Sequence, residues 1–306
     1  MTVATSQREE AAELHCAGER MWGILARPPD GVATKPVAVL IAVGGPQYRV
    51  GSHRQFVQLA RVLARNGHAT LRFDYRGMGD SEGELRDFEQ AEQDIRCGID
   101  TLARLLPNVQ HVVVWGLCDA AAAALMFATN DPRVIGIVAA NPWARSEASL
   151  GAARVKHYYL ARLMQSEFWR KLAGGGLDWR GSVRSLLGNL RQARQHRASA
   201  AEGAPSTSFQ GRMAQGLARF RGRLLLLVSG NDMTAMEFLH FTATSREWNG
   251  LLSRPTVQRI DIAQADHTFS RCAWSERAEA LTVDWLQGLG EAGAGSPMLG
   301  KASIHE

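Results

Sequence analysis

The sequence predicts an α/β protein with a mostly parallel, twisted β-sheet, helices on both faces of that sheet and a helical insertion. Short apolar runs alternate with segments of helical period between residues 37 and 140, which is the pattern of a parallel sheet. The run 37–43 (VAVLIAV) is apolar at every position, as strands buried on both faces are. The alternation stops near residue 145 and strand character returns at residue 224, which indicates the insertion.

The predicted elements follow one another in the order expected of such a fold. The apolar spacing predicts an edge hairpin over 13–19 and 21–27, then strands over 37–43, 69–75, 112–117, 134–140, 224–229 and 257–262. It predicts helices over 53–66, 88–106, 119–129 and 276–289, several of them ended by glycine or proline. We therefore expect a core over 12–144 and 223–290, a lid over 145–222 and a mobile tail over 291–306.

Composition excludes several other classes of protein. The chain has 306 residues of which 45% are hydrophobic, too many for a disordered chain. Its four cysteines form no CxxC pair, so neither a disulfide scaffold nor a zinc ribbon is expected. There is no phosphate-binding GxxxxGK loop, no apolar run of membrane-spanning length and no signal-peptide pattern at the N-terminus. We expect a cytoplasmic protein that needs neither a metal nor a cofactor.

The segment Gly116-Leu117-Cys118-Asp119-Ala120 is the most informative motif. It joins a predicted strand to a predicted helix, and it fits the nucleophile elbow G-x-Nu-x-G with alanine at the last position. Small residues two before and two after the nucleophile are needed because the turn brings backbones close together. A thiol at this turn would face the N-terminus of the following helix, which favours a thiolate. The sequence therefore predicts that Cys118 is a nucleophile rather than a buried structural cysteine.

Two further residues complete a predicted catalytic triad. Asp232 directly follows the strand 224–229, and His267 lies just past the last strand. In open parallel sheets, ligand sites lie at the carboxyl ends of the strands, where both residues fall. A neutral imidazole could accept the thiol proton and later activate water or an alcohol. Asp232 could instead be only a helix N-cap, and Asp266 is a weaker rival for its role because it directly precedes His267.

The loop after the strand 37–43 is the candidate for the rest of the site. An oxyanion hole needs two backbone N–H groups, and we expect them from Asp119 and Gly45, since Pro46 has none. Tyr48 and Arg49 follow this loop and either bind substrate or only help to cap the next helix. Trp143 follows another strand end and is expected to form a pocket wall or part of the core.

The chain resembles the α/β-hydrolase superfamily, and more closely the family of exosortase A system-associated hydrolase 1. The resemblance extends from about residue 12 to 290 and depends on GGPQYRVGSHRQF, FDYRGMGDSEGE, WGLCDAA, NPW, SGND and DHTFS, at residues 44–56, 73–84, 115–121, 141–143, 229–232 and 266–270. It implies an α/β-hydrolase fold and a cytosolic bacterial enzyme linked to exopolysaccharide production and protein sorting. The superfamily usually has serine where this chain has Cys118 and glycine where it has Ala120.

The net charge of +5 is unevenly distributed. The segment 145–222 contains 14 Lys and Arg but only four Asp and Glu, a net charge of +10, and the remaining residues carry −5. The segment is either a solvated basic surface or a positive gate that attracts an anionic substrate, such as a carrier-bound thioester. No known nucleic-acid-binding motif accompanies the charge, so nucleic acid is not the expected partner.

Two functions are consistent with these patterns. The first is a Cys-His-Asp hydrolase (esterase or thioesterase) or acyltransferase that acts on a small-molecule acyl substrate. The second is a non-catalytic binding protein on a hydrolase scaffold, because a fold alone does not establish activity. The sequence indicates neither the acyl group, the acceptor nor the oligomeric state.

Overall fold

The computed structural model describes residues 8–45, 47–145 and 208–293. The chain divides into two compact units, residues 1–144 with 209–306 and residues 145–208. The predicted lid therefore lies mostly outside the described residues, as does the part of the predicted tail beyond residue 293. Within the described ranges, no helix has both the length and the apolar content that crossing a membrane requires.

The described residues form one eight-stranded sheet. Its strands are β1 (Arg8–Cys16), β2 (Glu19–Arg27), β3 (Val37–Ala42), β4 (Thr70–Phe73), β5 (His111–Leu117), β6 (Val134–Ala140), β7 (Arg223–Ser229) and β8 (Val257–Ile262). Their order across the sheet is β1-β2-β4-β3-β5-β6-β7-β8. The pairs that include β1 or β2 are antiparallel and all the others are parallel. The predicted α/β fold with an edge hairpin is confirmed.

Helices connect the strands of the parallel part. They are α1 (Gln55–Arg65), α2 (Glu92–Leu105), α3 (Asp119–Phe127), α4 (Phe209–Arg219), α5 (Met233–Thr244) and α6 (Cys272–Gly293). The side chains of β5 show how the two faces of the sheet are covered. Val112 and Val114 join the apolar cluster that contains α2, α3 and α4 residues, while Val113 and Trp115 join the cluster that contains α1 and α6 residues. Alternation along the strand thus supplies two cores.

Two helices differ from the sequence-based expectation. The segment of α4 was assigned to the lid, yet α4 belongs to the unit that contains the sheet, where Met213, Ala214 and Leu217 are buried in the core. The whole of α5 was not predicted, because its sequence MTAMEFLHFTAT lacks a distinct polar face. Its start is nonetheless marked, since Asp232 is its N-cap.

Candidate functional site

Cys118 lies at a sharp turn between β5 and α3. Its φ and ψ angles are 62° and −122°, a conformation that costs free energy for any residue with a side chain. The surrounding backbone holds the turn in place: the Cys118 N–H donates to the Ala140 carbonyl at 3.0 Å, and the Cys118 carbonyl accepts from Ala122 and Trp143. The half-buried Cys118 thiol is thereby placed at the carboxyl end of the sheet, in the conformation of a nucleophile elbow.

Small residues allow this turn to form. A Cβ atom added at Gly116 would lie 2.6 Å from the carbonyl carbon and oxygen of Ala120 and 2.7 Å from the nitrogen of Ala121. A Cβ added at Gly44 would overlap the Leu117 carbonyl oxygen and the Asp119 carboxylate. Gly116 therefore lets α3 begin immediately after Cys118, and Gly44 lets the loop after β3 lie directly against the elbow.

The structure brings His267 and Asp232 together with Cys118. The His267 Nδ1–H donates to Asp232 Oδ2 at 2.8 Å. The same carboxylate accepts the backbone N–H groups of Thr234 at 3.0 Å and Ala235 at 3.2 Å, so Asp232 both caps α5 and orients the imidazole. Asp232 thus makes both the helix-capping contacts and the contact with His267 that the sequence left as alternatives.

The electrostatics of His267 reflect both neighbours. Hydrogen bonds to the Asp232 carboxylate and to the Cys118 sulfur raise the pKa of His267 from 6.5 to about 10, although partial burial opposes this shift. The imidazole therefore retains its proton at neutral pH and can donate it to a leaving group.

Asp266 does not take part in this arrangement. Its carboxylate accepts the Ser270 backbone N–H at 2.9 Å and the Ser270 hydroxyl, so it closes its own loop instead of orienting His267.

Asn141 holds the site together, and sequence reasoning missed its role. This side chain is fully buried at the end of β6. Its Nδ2 donates to Ser229 Oγ at 2.9 Å and to the His267 carbonyl at 3.0 Å, while its Oδ1 accepts the Ser229 N–H at 2.8 Å. Asn141 therefore ties the ends of β6 and β7 to the loop that carries His267. A polar residue at the end of an apolar strand was the available signal.

The predicted oxyanion hole contains a side chain that the sequence analysis did not anticipate. The Gly45 N–H donates to Asp119 Oδ1 at 2.6 Å. Burial raises the pKa of Asp119, and the nearby backbone N–H groups of Gly45, Ala120 and Asp119 oppose the rise. Of the two amides predicted to bind an oxyanion, that of Gly45 is therefore occupied by the Asp119 carboxylate.

The other predicted site residues lie in different surroundings. The Arg49 guanidinium pairs with the buried Asp74 and with Asp80, and its carbon lies 4.6 Å from the centre of the Tyr48 ring. Arg49 is thus committed to the loop after β4, whereas Tyr48 is 42% exposed. Trp143 is partly buried against the core, and its backbone N–H donates to the Cys118 carbonyl at 3.0 Å. In the described part of the chain, no three His, Cys, Asp or Glu side chains could hold a metal ion.

Comparison with known proteins identifies the family. A sequence model named Hydrolase_4, described as serine aminopeptidase S33, matches residues 34–234, more than half of the chain. The chain belongs to this family. It is therefore a member of the α/β-hydrolase superfamily, and the match includes the elbow at Cys118.

Individual relatives agree at the level of the fold. The esterase Pf2001 of Pyrococcus furiosus has a TM-score of 0.60 at 15% identity, with 93% of this chain and 94% of that chain covered. The dienelactone hydrolase of Anabaena variabilis ATCC 29413 has a TM-score of 0.57 at 16% identity, with coverage of 92% and 98%. A curated relative, the quorum-quenching protein AidA of Acinetobacter baumannii, is 30% identical over 125 residues. That alignment spans only 39% of either chain.

Proposed function

We propose that this α/β-hydrolase cleaves or transfers an acyl group with Cys118 as the nucleophile, His267 as the acid and base, and Asp232 as the residue that orients His267. The observation that supports this most strongly is the strained conformation of Cys118 beside an imidazole that Asp232 holds at 2.8 Å. Strain of this kind persists where the surrounding structure imposes it, and it concentrates at functional sites.

The proposed reaction has two halves. In the first half His267 is already protonated, the Cys118 sulfur attacks as the thiolate and forms a bond to the acyl carbon, and the carbonyl electron pair moves to the oxygen. The bond to the leaving alcohol or thiol then breaks, and that group takes the proton from His267. In the second half, water or an acceptor alcohol gives a proton to His267 and attacks the acyl carbon, which releases the Cys118 sulfur. An ester and a thioester are both suitable donors in this scheme.

The identity of the substrate is proposed from the sequence alone. The charge of +10 over residues 145–222 favours an anionic acyl donor, and most of these residues lie outside the described part of the structure. The resemblance to exosortase A system-associated hydrolases supports a proposed role in exopolysaccharide production. A cytoplasmic location and a small-molecule substrate belong to the same proposal.

Acyl-enzyme formation tests the proposal. The wild type and the variants C118A, H267A and C272A are mixed with p-nitrophenyl acetate and with a short acyl thioester, and the intact mass and released product are followed. Cys272 is exposed and lies at the start of α6, so C272A is the matched control. We expect an acetyl adduct in the wild type and in C272A, and turnover reduced at least about 1000-fold in C118A and H267A. Full turnover in C118A would overturn the proposal.

A second candidate function is a binding protein on the same scaffold. The observation that favours it is the occupation of the Gly45 N–H by the Asp119 carboxylate, since a catalytic oxyanion hole needs free donors. This candidate predicts that iodoacetamide alkylates Cys118 no faster than Cys272, and that no acyl adduct forms from any donor. The same mass measurement therefore separates the two functions.

A further inference from the structure

The Asp119 carboxylate and the oxyanion of an acyl-transfer reaction require the same hydrogen-bond donors. The Gly45 N–H, 2.6 Å from Asp119 Oδ1, is the donor that the loop after β3 supplies. The backbone N–H of Asp119, directly after Cys118, is the other, and it helps to lower the pKa of the same carboxylate. Two negative oxygens cannot share these donors, since like charges at contact distance repel each other. A substrate oxyanion therefore competes directly with Asp119.

The loop after β3 packs closely against the Asp119 carboxylate and restricts its movement. A Cβ at Gly44 would overlap Asp119 Oδ1, which shows how closely the loop backbone covers this side chain. The carboxylate is therefore held between the loop and the first turn of α3. It must rotate away before the two amides can serve a substrate.

Tyr75 offers an alternative partner for the rotated carboxylate. The tyrosine is 6% exposed, and its hydroxyl has no hydrogen-bond partner among the described residues. A buried hydroxyl without a partner is costly, so an acceptor that reaches it is stabilised. Burial raises the pKa of Tyr75 well above 10, and the nearby Asp119 and Asp94 carboxylates raise it further. The Tyr75 hydroxyl thus keeps its proton, and the charge of the Asp119 carboxylate acts on it.

We infer that Asp119 is a gate on the oxyanion hole: its carboxylate closes the hole by binding the Gly45 amide, and it opens the hole by moving to the Tyr75 hydroxyl. This inference rests on the proposed acyl-transfer function. In the closed state Cys118 remains a nucleophile but the carbonyl oxygen of a substrate lacks the Gly45 donor. The open state is the one in which acylation occurs.

Two reactions of the same sulfur test the gate. Acylation of Cys118 by p-nitrophenyl acetate builds up an oxyanion, whereas alkylation by iodoacetamide is a direct displacement that builds up none. The ratio of the acylation rate to the alkylation rate therefore reports on the oxyanion hole and cancels changes in the reactivity of the thiol. Both rates are measured at Cys118 by peptide mass spectrometry in a C16A/C97A/C272A background.

The gate predicts a different ratio for each variant and an unchanged ratio for the control. We expect D119A to raise the ratio at least tenfold and D119N, which keeps an acceptor oxygen but loses the charge, to raise it by a smaller factor. We expect Y75F to lower it severalfold. The control is D87N, because Asp87 is a charged neighbour of Asp119 that caps a separate turn and does not contact the two amides. The ratio of D87N should equal that of the wild type.

The outcomes separate failure of the gate from failure of the proposed function. A measurable ratio that stays constant or falls in both D119A and D119N contradicts the gate and leaves the acyl-transfer function intact. If D119A does not fold, the ratio of D119N alone tests the gate, since its isosteric side chain keeps the contact with Gly45. The absence of acylation in every folded variant, while Cys118 is alkylated normally, overturns the proposed function and the gate with it.

Discussion

At the scale of single residues, Asp232 illustrates how one carboxylate can both cap a helix and orient an imidazole. It caps α5 through two backbone N–H groups and holds His267 through a third hydrogen bond of 2.8 Å. Because asparagine is as good an N-cap as aspartate, D232N separates the two roles. The side-chain oxygen that caps the helix remains, and the negative charge beside the imidazole is lost.

We predict that D232N moves the alkaline limit of activity to lower pH. Asp232 is the largest cause of the raised pKa of His267, about 10, so its neutralisation lowers that pKa toward 6.5. The imidazolium that is proposed to protonate the leaving group then loses its proton at a lower pH. The alkaline limb of the pH profile of kcat/KM should therefore shift to lower pH by about one to three units. A pH profile of ester hydrolysis measures this shift. An unchanged limb in a folded D232N protein would contradict the assignment of His267 as the acid.

The same raised pKa predicts a pH dependence of stability. The folded state binds the His267 proton more tightly than the unfolded chain, whose histidine has a pKa of about 6.5. The contribution of this pair to the free energy of unfolding is therefore complete below about pH 6.5 and is lost as the pH rises toward 10. Urea unfolding of the wild type and H267Q at pH 6 and pH 9.5 measures it. The difference between the two proteins should be larger at pH 6.

Asn141 is the residue whose loss should most disturb the site without touching the chemistry. N141A leaves the buried Ser229 N–H and the His267 carbonyl without their partner, which should lower the free energy of unfolding by about 1–3 kcal/mol. N130A is the control, because Asn130 is exposed and its replacement should change stability by less than about 0.5 kcal/mol. Urea unfolding measures both variants. Equal stability of the two would show that the Asn141 hydrogen bonds contribute nothing net.

At the scale of elements, the turn from β5 to α3 can form only because the side chains at the turn are small. G116A places a methyl group 2.6 Å from the Ala120 carbonyl, so strand and helix must separate. We predict a loss of at least about 1–3 kcal/mol of stability together with loss of acyl-enzyme formation. G288A is the matched control: a Cβ there meets nothing within 4 Å, and alanine favours a helix by about 1 kcal/mol. Thermal unfolding that ranks G116A as no less stable than G288A would contradict this account of the elbow.

The elements also show what sequence patterns can and cannot predict. The strand Val134–Ala140 was predicted at its observed bounds because buried strands are short apolar runs between polar turns. The strand Val257–Ile262 was also predicted at its observed bounds, although it is a partly exposed edge strand in which valine and isoleucine are interspersed with polar residues. The helix α5 was missed, because it has apolar residues on most of its surface and hence no periodicity. The location of Cys118, Asp232 and His267 followed from the rule that sites lie at the carboxyl ends of parallel strands. The hydrogen bond between Gly45 and Asp119 could not be predicted, because no pattern in the sequence specifies the rotamer of an aspartate.

At the scale of the whole molecule, the charge distribution predicted from the sequence leads to a measurable consequence. Residues 145–222 carry +10 and the rest of the chain −5. If the positive segment attracts an anionic acyl donor, the attraction must weaken as salt shortens the Debye length from about 10 Å at 0.1 M to about 3 Å at 1 M. A neutral donor with the same acyl group feels no such attraction. The comparison therefore isolates the charge of the donor from every other effect of salt on the enzyme.

We predict that kcat/KM for an acyl-coenzyme A thioester falls at least about tenfold between 0.05 M and 0.5 M sodium chloride, whereas kcat/KM for the corresponding acyl N-acetylcysteamine thioester changes less than about twofold. The variant R191E/R194E/R197E, which lowers the charge of the segment by six, should reduce the salt dependence for the anionic donor and leave the neutral donor unaffected. Equal salt dependence for the two donors would instead assign the positive charge to a solvated surface. The residues around Cys118, such as Asp119, would then select the substrate, and the electrostatic attraction of residues 145–222 would not.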